Sequence, residues 1–453
     1  MKTKEQTKIL FVASECAPIV KVGGLGDVIG SLPKELMKLG VDARVILPLY
    51  KNVDVKKYKI KPLFRNKRVK WGRKVLGLGL WEGKLPGSNV PAYFIENKKY
   101  LGLGDVYFSR TAVAQHKKEI ERFVFFSEAV YALLTNDLLP GEAGLPFRPD
   151  IVHANDWHTG RLVELLSASN KKQKRTKTIF TIHNLGNQGI SRGKNYIKLG
   201  IENADLVTTV SPTYAEEIQT KDYGFGLNAL LRRKKPTGIL NGFDHGSLKN
   251  FGAKDAHKLS FQEAHGLKRG KAHPLFGLVS RLHDQKGIQW VIPVVSCMVE
   301  LFDVEFAFLG TGEDEFEEAL SGLARRYPEN VLTKIGFDEE LAQSIYDASD
   351  FFLMPSVFEP CGLGQMISMH YGTLPIARAT GGLKDTIEDG KNGFLFEEKN
   401  EKAFLRALQR ALGIFVEEPE LEKMRERALA ADFSWTKSAN QYKKLYKQLT
   451  ANS

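Results

Sequence analysis

Short apolar runs alternate along this chain with segments whose apolar positions recur at three- and four-residue spacing. The run Lys8 to Ala13 has the length and composition of a buried strand, and Leu25, Val28, Ile29, Leu32, Leu36 and Leu39 then mark one face of a helix. Val41 to Leu47 is a second strand, Ile120 to Leu134 a helix, and Asp150 to His153, Thr178 to Ile182 and Asp205 to Val210 are further strands. The alternation resumes with Leu275 to Val279, Val304 to Leu309, Phe351 to Met354 and Leu374 to Ala377. Strands separated by helical segments predict an α/β protein with parallel sheets covered on both faces, in which ligands bind beyond the carboxyl ends of the strands. Residues 50 to 120 are basic, broken by Gly and Pro and poorly periodic, so no chemistry is placed there. Pro33, inside the first helical pattern, predicts a kink or a first turn. The last segment, Trp435 to Leu449, is helical, with Tyr442, Leu445, Tyr446 and Leu449 on a face that must pack.

At 453 residues, two domains are expected, with a hinge near Leu240-Asn241-Gly242-Phe243-Asp244. One internal echo, Gly23-Gly24-Leu25-Gly26-Asp27-Val28-Ile29 against Gly381-Gly382-Leu383-Lys384-Asp385-Thr386-Ile387, fits two related halves, each opening a helix after a strand.

Composition narrows the class. No apolar run approaches the roughly 20 residues a bilayer span needs, and the start lacks a signal peptide's core and cleavage pattern, so a cytoplasmic protein without membrane attachment is expected. Cys16, Cys297 and Cys361 lie far apart, in neither a disulfide framework nor a zinc spacing. The net charge of +12 is concentrated in Lys51 to Lys74, Lys171 to Arg175 and Arg232 to Lys235. Without interleaved aromatics these runs fit solvated surface better than nucleic-acid binding, and a negatively charged small substrate is a further option.

Polar residues gather just past the strand ends. In Pro355-Ser356-Val357-Phe358-Glu359-Pro360-Cys361-Gly362-Leu363-Gly364-Gln365 the prolines and glycines turn a strand into a helix start, whose free amides suit an anion while Glu359 projects beside them. Lys21-Val22-Gly23-Gly24-Leu25 is a second glycine loop with a lysine able to reach a phosphate or sugar. His153, Asp156 and His158 have metal-ligand chemistry but no helical zinc spacing, and no metal is expected.

These motifs, with Asp156-Trp157-His158, Thr181-Ile182-His183-Asn184, Val210-Ser211-Pro212-Thr213-Tyr214, Leu240-Asn241-Gly242 and Ser280-Arg281-Leu282 followed by Gln285-Lys286-Gly287, resemble bacterial glycogen synthases and plant starch synthases in order and spacing across most of the chain. Lys-Val-Gly-Gly-Leu together with Glu-Pro-Cys-Gly-Leu is the specific part. The resemblance implies a GT-B fold, two Rossmann-like domains with parallel sheets facing across a cleft: an acceptor (glucan) domain over 1–241, a nucleotide-sugar donor domain over 242–432, and a C-terminal helix, 433–453, crossing back to the first. It implies transfer of glucose from a nucleotide-diphosphate glucose, ADP-glucose favoured over UDP-glucose, to the non-reducing end of an α-1,4-glucan with retention. No cofactor or metal is needed. By the same resemblance Arg281 and Lys286 pair with the diphosphate. His183, Asn241 and Glu359 hold the glucose, Asp156 and Asn184 lie in sugar-side motifs, and Lys21, Gly23 and Gly24 form the phosphate-side or acceptor-side loop. Cys361, Gly362, Leu363 and Gly364 frame the anion. Glu359, His183, Arg281 and Lys286 would be catalytic; no covalent nucleophile is assigned.

Three positions depart from the family pattern: Asn155 stands where His is usual, Gly364 where Thr is usual, and Lys198-Leu199-Gly200 where Lys-Gly-Gly is usual. The segments after Asn184 and Asp244 look shorter than in the family. A missing Thr side chain at Gly364 removes a hydroxyl expected to bond the donor. The alternatives are a retaining GT-B transferase with a small acceptor, and a catalytically silent glucan-binding or nucleic-acid-binding protein.

Overall fold

The structure is a computed structural model that describes residues 6–72, 74–107, 113–135, 144–169, 176–244, 246 and 248–451. The basic run Lys171 to Arg175 lies outside the described residues. The chain divides into two compact units, Met1–Gly242 with Trp435–Ser453, and Phe243–Ser434.

The first unit contains β1 (Lys8–Val12), α1 (Gly24–Lys38), β2 (Asp42–Pro48), β3 (Lys61–Trp71), β4 (Lys74–Lys84), β5 (Pro91–Glu96), α2 (Val113–Thr135), β6 (Ile151–Asn155), α3 (Gly160–Ser169) and β7 (Lys177–Ile182). It continues with β8 (Ile190–Ser191), β9 (Lys194–Asn195), α4 (Tyr196–Asn203), β10 (Leu206–Thr209), α5 (Pro212–Glu217), α6 (Asn228–Lys234) and β11 (Thr237–Gly238). Among the described residues nine strands form one sheet in the order β11, β10, β7, β6, β1, β2, β5, β4, β3. All are parallel up to β5, after which β4 and β3 are added antiparallel. The central strands are apolar on both faces because both faces are covered: Ile9 and Phe11 belong to one cluster, Leu10 and Val12 to the other.

The described part of the poorly periodic stretch from 50 to 120, where no chemistry is placed, holds three strands. In β3 and β4 exposed Lys and Arg interrupt the alternation and Gly77, Gly79 and Gly83 weaken the strand signal, so pairing between distant residues, not local pattern, forms the ribbon. Pro33 sits in the interior of α1 and is buried; the helix begins at Gly24, inside the glycine loop itself.

The second unit contains α7 (Lys254–Ala264), β12 (Leu275–Val279), α8 (Ile288–Leu301), β13 (Glu305–Gly310), α9 (Asp314–Arg326), β14 (Val331–Ile335), α10 (Glu339–Ala348), β15 (Phe351–Met354), α11 (Gly364–His370), β16 (Leu374–Arg378), α12 (Gly381–Thr386), β17 (Phe394–Phe396), α13 (Glu401–Phe415) and α14 (Glu418–Leu429). Its six strands are all parallel, ordered β14, β13, β12, β15, β16, β17. Each unit is a Rossmann-like layer of parallel strands and covering helices.

The last helix, α15 (Trp435–Ala451), belongs to the first unit. Its buried Trp435, Ala439, Tyr442 and Tyr446 join the cluster that holds Leu25, Ile29 and Leu36 of α1. Burying each large aromatic contributes on the order of 2 kcal/mol. Polar ties fix the register: Thr436 donates to Glu35, Lys443 donates to the Leu39 carbonyl at 2.6 Å, and the Tyr446 hydroxyl lies 2.8 Å from His153 Nδ1.

Candidate active site

In the first unit the chemistry follows β1, β6 and β7. The loop after β1 is organised by Glu15, a buried carboxylate whose Oε2 accepts from the amides of Val22 at 2.6 Å and Gly23 at 2.8 Å. Its Oε1 accepts from the Tyr107 hydroxyl, which also lies 3.0 Å from Ser14 Oγ. Lys21 leaves this loop half-exposed, and its Nζ pairs with Asp27 of α1 at 2.7 Å. Gly24 is the first residue of α1.

Asp156 caps the end of β6 at φ 54, an unfavourable backbone angle for a residue with a Cβ. What holds it there is its carboxylate, which accepts from the amides of His183 at 2.7 Å and Asn184 at 3.4 Å. Burial pushes this carboxyl up to about 7, against the pull of those two amides, with Glu15 adding to the rise. Burial pushes His183 down to about 3, so its ring is neutral near pH 7.

Asn155 accounts for the ring's tautomer. Its amide nitrogen donates to the carbonyls of Val12 and His153, both at 3.1 Å, which leaves its Oδ1 facing His183 Nε2 at 2.9 Å. An amide oxygen only accepts, so the network assigns the proton of His183 to Nε2. The departure from His at position 155 therefore has a local function. Asn184 Oδ1 closes a turn by accepting from the Gly186 amide. The Ser-Pro-Thr-Tyr stretch supports the same loop: Ser211 caps α5, and the Tyr214 hydroxyl accepts from the Leu185 amide at 3.0 Å. Asn241, past β11, buries its side-chain oxygen without a hydrogen-bond partner among the described residues.

The three candidate metal ligands do not converge. His153 uses one ring nitrogen on Tyr446 and the other on Thr181 at 2.6 Å, and the His158 ring stacks on Tyr107 with centroids 5.3 Å apart. Among the described residues no group of three His, Cys, Asp or Glu side chains could hold a metal ion.

In the second unit the loops after β12, β15 and β16 interlock. Lys286 Nζ lies 2.5 Å from Glu359 Oε2, which also accepts from Ser356 Oγ at 3.1 Å. The side chain of Glu359 is 8% exposed and that of Lys286 19%. The Val357 amide donates to the Gln285 carbonyl at 2.8 Å, so the two loops are joined through the backbone as well. Gly287 makes the approach possible: it has φ 75, and a Cβ there would stand 2.0 Å from the Pro355 carbonyl oxygen. Gly381 does the same for the third loop, where a Cβ would meet the Glu359 carbonyl oxygen at 1.9 Å.

Arg281 follows β12 and is exposed, with no hydrogen bond or ion pair to its guanidinium among the described residues. Cys361 is buried, Gly362 turns the chain, and Leu363 is the residue before α11, an arrangement held by Gln365, whose Nε2 donates to the carbonyls of Cys361 and Gly362.

Gly364 calls for a different account from the missing-hydroxyl expectation. A Cβ at this position would meet Phe352 at 3.0 Å, the Tyr346 hydroxyl at 3.3 Å and Met354 at 3.4 Å. A side chain would therefore press on the unit's own interior rather than face a ligand.

Four residues escaped the sequence reading. Glu15 and Tyr107 shape the glycine loop, and Arg378, buried, donates to the carbonyls of Ser356 and Val357 to hold the Glu359 loop from beneath. Phe337, two residues past β14, is 90% exposed. A signal for it existed: Gly336-Phe337-Asp338 is a glycine turn carrying a large apolar side chain at a strand's carboxyl end, before the helix that Asp338 caps.

Comparison with known proteins converges on one group. Residues 8–233 match the starch synthase catalytic domain family, and residues 273–413 match glycosyl transferases group 1. The chain is 38% identical to glycogen synthase of Geobacillus thermodenitrificans, covering 98% of both chains, and 36% identical to that of Thermotoga maritima, covering 98% of this chain and 99% of the other. The alignment with the Geobacillus protein runs over 497 positions, more than this chain possesses, so the chain is aligned across gaps of its own. Among solved structures, the catalytic domain of starch synthase IV from Arabidopsis thaliana bound to ADP and acarbose superposes with a TM-score of 0.86 at 31% identity, covering 99% of this chain and 100% of that one. Sucrose-phosphate synthase from Thermosynechococcus elongatus, at 20% identity and a TM-score of 0.65 over 99% of this chain and 100% of that one, shares the fold.

Proposed function

The chain belongs to the glycogen synthase and starch synthase family of GT-B glycosyltransferases, and from this we propose that it transfers glucose from ADP-glucose, in preference to UDP-glucose, to the 4-hydroxyl at the non-reducing end of an α-1,4-glucan with retention of configuration. The observation that carries this reading is the Lys286–Glu359 pair at the carboxyl ends of β12 and β15, with the guanidinium of Arg281 uncommitted on the same sheet edge.

As the bond from C1 to the phosphate oxygen breaks, negative charge grows on the leaving diphosphate. Lys286, held in place by Glu359, and the uncommitted Arg281 are cations that meet this charge more strongly in the transition state than in the ground state. The bond from C1 to the acceptor oxygen forms on the same face, and the acceptor's proton passes to the leaving phosphate oxygen. Glu359 has its Oε2 engaged by Lys286 and Ser356, which leaves Oε1 for a glucose hydroxyl and sets a negative charge near the developing oxocarbenium. In the first unit, the neutral ring of His183 and the oxygen of Asn241, unpartnered among the described residues, offer hydrogen bonds to sugar. On this reading Lys286 and Arg281 make a metal unnecessary for charge neutralisation, and the location proposed with it is the cytoplasm, as expected from the sequence.

The exposed ring of Phe337 offers a stacking face for the base of the nucleotide. The neighbour's bound ADP supports an adenine donor here. Calorimetric titration of ADP and UDP against the parent protein and Phe337→Ala tests the donor reading. It expects tighter ADP binding in the parent and a loss of about tenfold in the variant, roughly 1.4 kcal/mol. Equal affinity for both nucleotides would remove the preference.

A further inference from the structure

The segment from Lys51 to Lys84 carries twelve Lys or Arg residues against Asp54 and Glu82 alone, a net ten of the chain's +12. Most of it is the β3–β4 ribbon, whose register gives it a direction. Leu80 of β4 pairs with Ile95 of β5, which pairs with Pro48 at the carboxyl end of β2, and the last β5 pairing is Gly79 with Glu96. The pairs from Lys67 with Leu78 to Trp71 with Lys74 lie beyond that point. The ribbon therefore projects about five residues, or about 17 Å, past the carboxyl edge of the sheet, the edge on which the Lys21 loop lies.

One face of the projection is anchored. Val69 and Leu78 are buried with Phe125, Phe126 and Ala129 of α2, and Trp71 packs edge-on to Phe125 with centroids 5.7 Å apart. The other face carries Arg68 opposite Gly77 and Lys70 opposite Val75, all exposed, and no ion pair among the described residues reaches Arg68 or Lys70. The charged segment also touches the acceptor-side loop, because the Tyr58 hydroxyl donates to the Pro18 carbonyl at 2.8 Å.

Two classes of partner fit poorly. An added peptide strand meets Pro62, two register shifts and a lysine-studded edge. Among the described residues of the segment bases find no open ring for stacking, since Arg65 covers Trp81 at 4.7 Å, Lys67 covers Phe64 at 4.7 Å, Lys57 lies over Tyr58 at 5.3 Å and Trp71 packs edge-on to Tyr100 and Phe125. What remains is a polymer that reaches the Lys21 loop and carries fixed negative charge along its length.

We propose that this basic ribbon docks the outlying part of an acceptor glucan bearing phosphomonoesters, so that phosphorylated α-glucan is the preferred polymer of this chain. The proposal rests on the glucan-acceptor reading above, and its test is a binding measurement that needs no turnover. Co-sedimentation is measured with a phosphorylated amylopectin, with the same polymer after phosphatase treatment, and with each in the presence of single-stranded RNA or phosphatidylserine vesicles. At low salt the parent protein should bind the phosphorylated form roughly tenfold more tightly, and the difference should vanish near 0.5 M salt, where screening is within a few ångströms. The triple variant Arg65→Gln, Arg68→Gln, Lys70→Gln should bind both polymers alike while unfolding at the parent's temperature. Equal binding of the two polymers by the parent overturns the proposal, as does a variant that keeps the preference. RNA or vesicles displacing phosphorylated glucan at equal phosphate would assign the ribbon to another partner. Failure to bind either polymer at any salt would reject the glucan reading itself.

Discussion

Lys286 Nζ and Glu359 Oε2 stand 2.5 Å apart, joining two loops that follow different strands of the second unit's sheet. With both side chains largely buried, neither is replaceable without consequence: breaking a buried pair leaves a charge poorly solvated and costs about 3 kcal/mol or more. Glu359→Gln is therefore the cleaner test of chemistry, since an amide oxygen still accepts from Lys286 and Ser356. It should keep the parent's fold while losing at least about a hundredfold in turnover, equivalent to about 3 kcal/mol of transition-state stabilisation. Lys286→Ala should lose a similar factor and also unfold at a lower temperature. Near-parental turnover in either folded variant rejects the assigned site.

On the proposed mechanism activity should persist in excess chelator, because Lys286 and Arg281 would supply the positive charge that a metal would otherwise contribute. Initial rates with and without chelator, then with magnesium restored, check this. A chelator-abolished rate that magnesium recovers contradicts the account.

Much of the fold was legible in the sequence because buried parallel strands are short uninterrupted apolar runs, as in Ile9 to Val12 and Phe351 to Met354, and the residues that follow them lie at the sheet edges. The β3–β4 ribbon was not, since one of its faces is solvated by Arg68 and Lys70 and its identity depends on pairing with β5. The site divides along the same line. Lys286 and Glu359 stand in recognisable loops, whereas Glu15, Tyr107 and Arg378 act on residues distant in sequence, as in the contact of Tyr107 with Glu15.

Gly364 shows the limit of comparing residue types without a structure. Because its Cβ would press on Phe352 and Tyr346, Gly364→Thr should destabilise the protein by about 1–3 kcal/mol through overpacking rather than strengthen donor binding. Thermal unfolding, measured beside nucleotide affinity, distinguishes the two outcomes. Unchanged stability with tighter ADP binding would restore the hydroxyl interpretation.

Asp156 gives a pH dependence of defined sign. Burial raises its carboxyl from 3.8 to about 7 in the folded protein, so the folded state holds the proton more tightly than the unfolded chain does. That contribution to stability is fully present below pH 3.8 and is lost as pH rises through about 7. Asp156→Asn should remove this component, leaving a flatter denaturation midpoint between pH 4 and pH 7, in roughly the window set by the two values. A variant whose midpoint follows pH as the parent's does would place the titration elsewhere.

Glucosyl transfer to glucan at the Lys286–Glu359 site is read out most directly as incorporation of labelled glucose into a glycogen primer from ADP-glucose and from UDP-glucose, by the parent protein and by Glu359→Gln. The parent should incorporate label, faster from ADP-glucose, with the label released by an α-1,4-specific glucosidase and the variant slower by at least about a hundredfold. Absence of incorporation from both donors, or equal incorporation by the variant, would contradict it.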